Sequence, residues 1–148
     1  DPASVMDLLA VNVGGVLAGS QAFVRHRRAV GGGGVLVNIS SGAGRKPYAG
    51  WGAYCASKAA VDRLSECISL EEAAHGLRVH SVAPGVIDTD MQAAIRSTPA
   101  ERFPDVDRFH ALKRDDGFAA PSAIADWILS LAFDPAAATE DVLLRVPT

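Results

Sequence analysis

Two short apolar segments, Val35-Leu36-Val37-Asn38-Ile39 and Leu77-Arg78-Val79-His80-Ser81-Val82-Ala83, flank a long amphipathic stretch from about Ala53 to Ala74. This arrangement restricts the fold more than any other feature of the chain. A strand with one face in water alternates apolar and polar residues. The first segment does not alternate, which suits a strand buried on both faces of a parallel sheet. Two such strands joined through a helix form a parallel unit, because a parallel pair needs a long crossover.

The rest of the chain extends the pattern. Asp1-Pro2 reads as an N-cap followed by proline at the first helical position. It opens a helix to about Arg28, with Val5, Leu8, Leu9, Val13, Val16 and Leu17 at helical spacing. Gly14, Gly15 and Gly19 weaken that helix and are expected to admit another backbone closely. Gly31 to Gly34 forms a turn, since helix, glycines, strand is the reverse of the order that a phosphate-binding loop needs. Ser40 to Gly52 reads as a loop, and Gly76 ends the helix over 53–74. After the turn at Pro84-Gly85, Asp88 or Thr89 caps a short helix to about Arg96. The polar stretch Ser97 to Gly117 reads as helix fragments in a mobile segment. A helix from Pro121 to Leu131 and a strand over 142–146 complete the chain. The expected architecture is α/β, a parallel sheet covered by helices, in one domain spanning 1–148.

Composition narrows the partners. At 49% hydrophobic and 21% charged residues, a packed core is expected. A net charge of −3 gives no reason to propose nucleic acid. The cluster Arg25-His26-Arg27-Arg28 falls at a helix end, where cations suit the macrodipole. No apolar run approaches the roughly 20 residues that cross a bilayer, so no membrane is expected either. Cys55 and Cys67 form no metal or redox motif and read as reduced thiols of a cytoplasmic protein. His26, His75, His80 and His110 are scattered without metal-ligand spacing, so no metal site is expected.

Ligands of parallel sheets collect outside the carboxyl ends of the strands. Ser40-Ser41 and Pro84-Gly85 follow strand ends directly, and Tyr54 opens the helix between them. Tyr54 and Lys58 are spaced to share a helix face. A free tyrosine has a pKa of about 10, and a neighbouring ammonium favours the phenolate. The phenol can then exchange a proton with a substrate oxygen, which the Ser41 hydroxyl can hold by a hydrogen bond.

Four markers together resemble the short-chain dehydrogenase/reductase family: Asn12 in Val-Asn-Val-Gly-Gly, Ser41 in Asn-Ile-Ser-Ser, Tyr54-x-x-x-Lys58, and Pro84-Gly85 before Thr89. The stretches Gly50 to Ala60, Leu70-Glu71-Glu72 and Ala83 to Gln92 are similar to the sepiapterin reductase branch, which includes reductases of dicarbonyl compounds such as benzil. The resemblance implies the C-terminal part of a Rossmann-type doubly wound parallel sheet with helices on both faces. It implies Asn12, Ser41, Tyr54 and Lys58 as the catalytic set, with Tyr54 as general acid and Asn12 placing a relay water. Tyr54, Lys58, Pro84, Gly85, Ile87, Thr89 and Met91 would hold the nicotinamide cofactor, with NADPH expected over NADH. Ser41, Gly42, Trp51, Tyr54 and Gly85 would line the pocket for a small-molecule carbonyl substrate. The two long helices would pair copies of the chain into a homo-oligomer.

The family's first strands and glycine-rich phosphate turn have no counterpart here, so the chain is expected to be the catalytic half of a longer protein. No acidic residue stands at the chain end where sepiapterin reductases grip the pterin, so a ketone or diketone is the expected substrate. A chain that truly lacked the nucleotide half would instead serve as a dimerisation or scaffold module. Dehydration or epimerisation by the same residues is a third reading.

Overall fold

The computed structural model describes residues 1–115 and 117–147. The first helix is continuous over Pro2–Val30. It comprises α1 (Pro2–Leu9), a wide π-helical stretch (Ala10–Gly15) and α2 (Val16–Val30). Strand β1 (Gly34–Ile39) follows, then a 3₁₀ turn at Gly42–Gly44, helix α3 (Gly52–Glu72) and strand β2 (Leu77–Ala83). Beyond β2 lie α4 (Asp90–Arg96), α5 (Val106–Arg114), α6 (Pro121–Phe133) and β3 (Leu143–Arg145). The strands form one parallel sheet in the order β1-β2-β3, with Gly34 opposite Leu77 and Ser81 opposite Leu143. The expected α/β Rossmann-type sheet is therefore present.

Both sheet faces are covered, as the continuous apolar strands require. On one face Leu77, Val79 and Leu36 pack with Phe23, Val24 and Ile68 from α2 and α3. On the other, Val82, Val37 and Val146 pack with Ile124, Leu131 and Trp127 around α6. A fully buried valine such as Val61 or Val82 contributes about 1.5–3 kcal/mol relative to leaving it in water.

Several local details differ from the sequence expectations. Asp1 does cap α1, its carboxylate accepting from Ala3 N at 3.3 Å. The three glycines of the first helix do not receive another backbone: a Cβ at Gly14, Gly15 or Gly19 would meet nothing within 4 Å. Close backbone approaches lie elsewhere, among them Gly33 against the Gly76 carbonyl and Gly50 against that of Arg102. Gly76 itself sits at φ 68°, in the left-handed region that ends α3. The Pro2–Val30 helix contains an 18-residue window of mean hydropathy 1.4, so by length and composition it meets the measure of a membrane span. That corrects the expectation that no run comes near. Within this fold, however, the helix anchors its polar groups on the domain: Asn12 binds Ser57, and buried Ser20 binds buried Asn38.

The basic cluster does more than face a helix dipole. Arg27 Nη2 donates to the carbonyls of Gly31, Gly32 and Gly33 at 3.0, 2.8 and 2.5 Å, closing the turn into β1. Arg28 pairs with buried Glu72 at the far end of α3. The segment 97–115 is packed rather than loose. Phe103, Val106 and Phe109 form a buried cluster with Tyr48 and Trp51 beneath α5.

Candidate active site

Ser41, Tyr54 and Lys58 line one cleft of about 660 Å³ at the carboxyl ends of β1 and β2. Gly42, Trp51, Pro84, Gly85, Ile87, Thr89 and Met91 line the same cleft. Every expected site residue except Asn12 is thus brought together.

The local geometry follows from two short turns. Ser41 is extended at φ −156° and caps the 3₁₀ turn, its Oγ accepting from Ala43 N at 3.2 Å. Among the described residues its hydroxyl hydrogen has no acceptor, which leaves it for a carbonyl oxygen. Gly44 lets that turn sit against α3: a Cβ there would lie 2.8 Å from Lys58 C. Ser40 lies beneath, buried, donating to Lys58 O at 3.3 Å. Gly85 at φ 84° turns the chain after β2 through a conformation that a side chain would strain.

Tyr54 and Lys58 lie on one face of α3, with the ammonium 5.9 Å from the phenol ring centroid. Lys58 Nζ donates to Ile39 O, at the end of β1, at 3.1 Å. Burial lowers the Lys58 pKa from its usual 10.5, with the Asp62 carboxylate one turn further along α3 acting in the opposite sense. Asn12 stands behind this face. Its amide donates to Ser57 Oγ at 3.1 Å, and Ser57 Oγ donates to Tyr54 O at 2.8 Å. The wide turn at Ala10–Gly15 carries Asn12 to this place, in keeping with the frequent occurrence of π-helical turns at functional sites.

Trp51 is committed to packing as well as to the cleft. It stacks on Phe103 at 4.5 Å between centroids and meets the Tyr54 ring edge-on at 5.7 Å. Thr89 occupies the N-cap position of α4, but its hydroxyl makes no capping bond. Asp88 is engaged elsewhere, with Lys113 at 2.6 Å and Arg96 at 3.9 Å.

Two groups escape a motif-based reading. Gln92 is buried, lines the cleft, and its Oε1 has no hydrogen-bond partner among the described residues. Its place three residues after Thr89, the N-cap position of α4, is a sequence signal that could have drawn attention to it. Arg45 makes four hydrogen bonds to three residues. Its Nε and Nη2 donate to Asp62 at 3.0 and 3.4 Å, its Nη2 to Ser81 O at 3.1 Å, and its Nη1 to Leu144 O at 3.0 Å. Asp62 also accepts from Ser81 Oγ at 2.6 Å. Burial pushes the Asp62 pKa up, but the hydrogen bonds from Arg45 and Ser81 outweigh it and hold the carboxyl below its usual range. Arg45 thus fastens the Ser41 turn to α3, β2 and β3. Among the described residues no group of three or more His, Cys, Asp or Glu comes together to hold a metal.

A nicotinamide cofactor is compatible with the donors present. Thr89 and Gln92 both line the cleft that contains Lys58, and among the described residues the Thr89 hydroxyl makes no capping bond and the buried Gln92 Oε1 has no partner, as polar groups that complete their hydrogen bonds with a ligand do.

Residues 1–100 match the short chain dehydrogenase family, and the chain belongs to that family. It is 46% identical over 98 residues to benzil reductase ((S)-benzoin forming) of Bacillus cereus, covering 65% of this chain and 39% of that protein. It is 40% identical over 114 residues to the protein of the same name in Bacillus subtilis, covering 76% of this chain and 47% of the relative. Among solved structures, the KRED1-Pglu enzyme superposes with a TM-score of 0.81 at 34% identity, over 90% of this chain and 55% of that one. The chain thus spans about half the length of the curated relatives it matches.

Proposed function

We propose that this chain forms the catalytic half of an NADPH-dependent reductase that converts a ketone or diketone to the alcohol. The observation that carries the reading is the convergence of the Ser41 hydroxyl, the Tyr54 phenol and the Lys58 ammonium on one cleft at the strand ends. In this reading Ser41 donates to the carbonyl oxygen and fixes it. Tyr54 gives its proton to that oxygen as negative charge builds there. Lys58, held by Ile39 O beside the phenol ring, stabilises the phenolate that remains. Lys58, Ile87, Thr89 and Gln92 would hold the nicotinamide end of the cofactor. The dinucleotide, when bound, supplies the hydride. Asn12 would place a water that returns a proton towards Lys58. The names of the Bacillus relatives support a dicarbonyl substrate, and similarity to the sepiapterin reductase branch supports NADPH. Both cysteines are free thiols, as a reducing compartment would keep them.

Tyr54→Phe tests the mechanism. Reduction of benzil by NADPH should fall by at least about 100-fold, the usual scale of general acid catalysis, with the thermal melt unchanged. Turnover near that of the parent protein would overturn the assignment, and faster turnover with NADH would overturn the cofactor choice.

A further inference from the structure

The cleft walls are unbalanced in charge. Lys46, Lys58, Arg108 and Arg145 all line it, and among the described residues no aspartate or glutamate does. Lys58 is accounted for by the reaction; the other three are not. Among the described residues none of these three makes an ion pair. At the same rim, by contrast, Lys113 and Arg96 are both engaged by Asp88.

Two of the unused cations are gathered around one side chain. Arg108 Nη1, on α5, donates to the Tyr48 hydroxyl at 3.1 Å. Lys46 Nζ lies 5.6 Å from the centroid of the same ring. Tyr48 leads back to the reacting groups through Trp51, at 5.3 Å and then 5.7 Å to Tyr54 between ring centroids. Arg145 extends β3 beside Ala83, immediately before the Pro84-Gly85 wall. Asp105 and Asp107, next to Arg108 on the chain, are exposed and lie outside the cleft.

We propose that the carbonyl substrate carries a carboxylate, held by the Arg108 guanidinium with Lys46 beside it, while its ketone faces Ser41 and Tyr54. A guanidinium presents parallel N–H groups that match a carboxylate in a forked pair, and a cleft lined by one sign of charge concentrates ligands of the other. The proposal rests on the carbonyl-reductase reading and narrows its substrate to an oxo acid.

The test compares benzoylformate with 1-phenyl-1,2-propanedione, which share the phenyl ketone and differ in carboxylate against acetyl. With NADPH and the full-length protein, kcat/KM should favour benzoylformate, and the preference should shrink as salt rises. Arg108→Gln should lower the ratio of the two kcat/KM values at least about tenfold, as loss of a charge-assisted bond implies, mainly through KM for the acid. Arg108→Lys should restore part of it. An unchanged ratio in Arg108→Gln, or a parent preference for the neutral diketone, overturns the proposal while leaving the reductase reading intact. If neither compound is reduced, the reductase reading fails, and calorimetric titration with benzoylformate still decides recognition. Binding that Arg108→Gln abolishes supports the anion site, and no binding to the parent protein refutes it.

Discussion

Replacing Arg45 by methionine should destabilise the domain well beyond a surface substitution, although Arg45 is not a core residue by composition. The guanidinium makes four hydrogen bonds, two to Asp62 and one each to the carbonyls of Ser81 and Leu144. Asp62 is buried, so the substitution leaves a carboxylate with Ser81 Oγ as its strongest remaining donor. Removing one partner of a fully buried ion pair costs about 3–5 kcal/mol. The Arg45 side chain is 29% exposed against 8% for Asp62, so water reaches one side, and about 2–3 kcal/mol is the better expectation. For a chain of this size that lowers Tm by about 5–10 °C. Urea unfolding followed by circular dichroism at pH 7 measures it directly. The cause is isolated by a double-mutant cycle with Asp62→Asn, which removes the stranded charge. The double variant should be less destabilised than the sum of the singles by about 1–2 kcal/mol. A loss below about 0.5 kcal/mol for Arg45→Met, within the range of ordinary surface changes, or strict additivity in the cycle, would refute the reasoning.

Two further expectations follow from the same structure. His80 is buried and its Nδ1 lies 2.8 Å from Asp141 O, so that nitrogen carries a hydrogen. Burial lowers its pKa, only partly offset by the Asp141 carbonyl. The unfolded chain therefore binds a proton that the folded one refuses, and stability should fall as pH drops below about 6.5. His80→Gln should flatten the change in urea midpoint between pH 7.5 and 5; an equal change in both proteins would reject His80 as the cause. The apolar outer faces of the two long helices, with Val11 72% and Leu70 82% exposed, are proposed to pair two copies of the chain. Val11→Glu should then convert a dimer to a monomer in sedimentation velocity, and a parent protein already monomeric at micromolar concentration would reject the pairing.

The strands and long helices were legible because their signals are local. Leu77–Ala83 is bounded by Gly76 and Pro84 and has a strand composition throughout, so its limits coincide with those of β2. The Tyr54, Lys58 and Ser41 cluster was legible because strand ends and a helix start fix where those side chains emerge. What escaped depends on contacts between distant segments. Arg45 reads as one more loop cation until Asp62, Ser81 and Leu144 close around it. Arg108 lies in a polar stretch that looked mobile, and only the apolar cluster of Phe103, Val106 and Phe109 beneath it shows why it is placed. Leu70, an apolar residue of the amphipathic stretch, points outward, because α3 uses Val61, Ser65 and Ile68 for its inner face. The wide turn at Asn12 left no sequence mark beyond glycines that suggested something else.

The sheet joins residues far apart along the chain, Gly34 with Leu77 and Ser81 with Leu143. Each pairing closes a long loop, and its entropic cost falls due before the contacts that offset it exist. The cleft is built on the ends of these same strands, so its walls come into register only when the last long-range contacts do. A cleft ligand would hold the chain in its finished state by mass action.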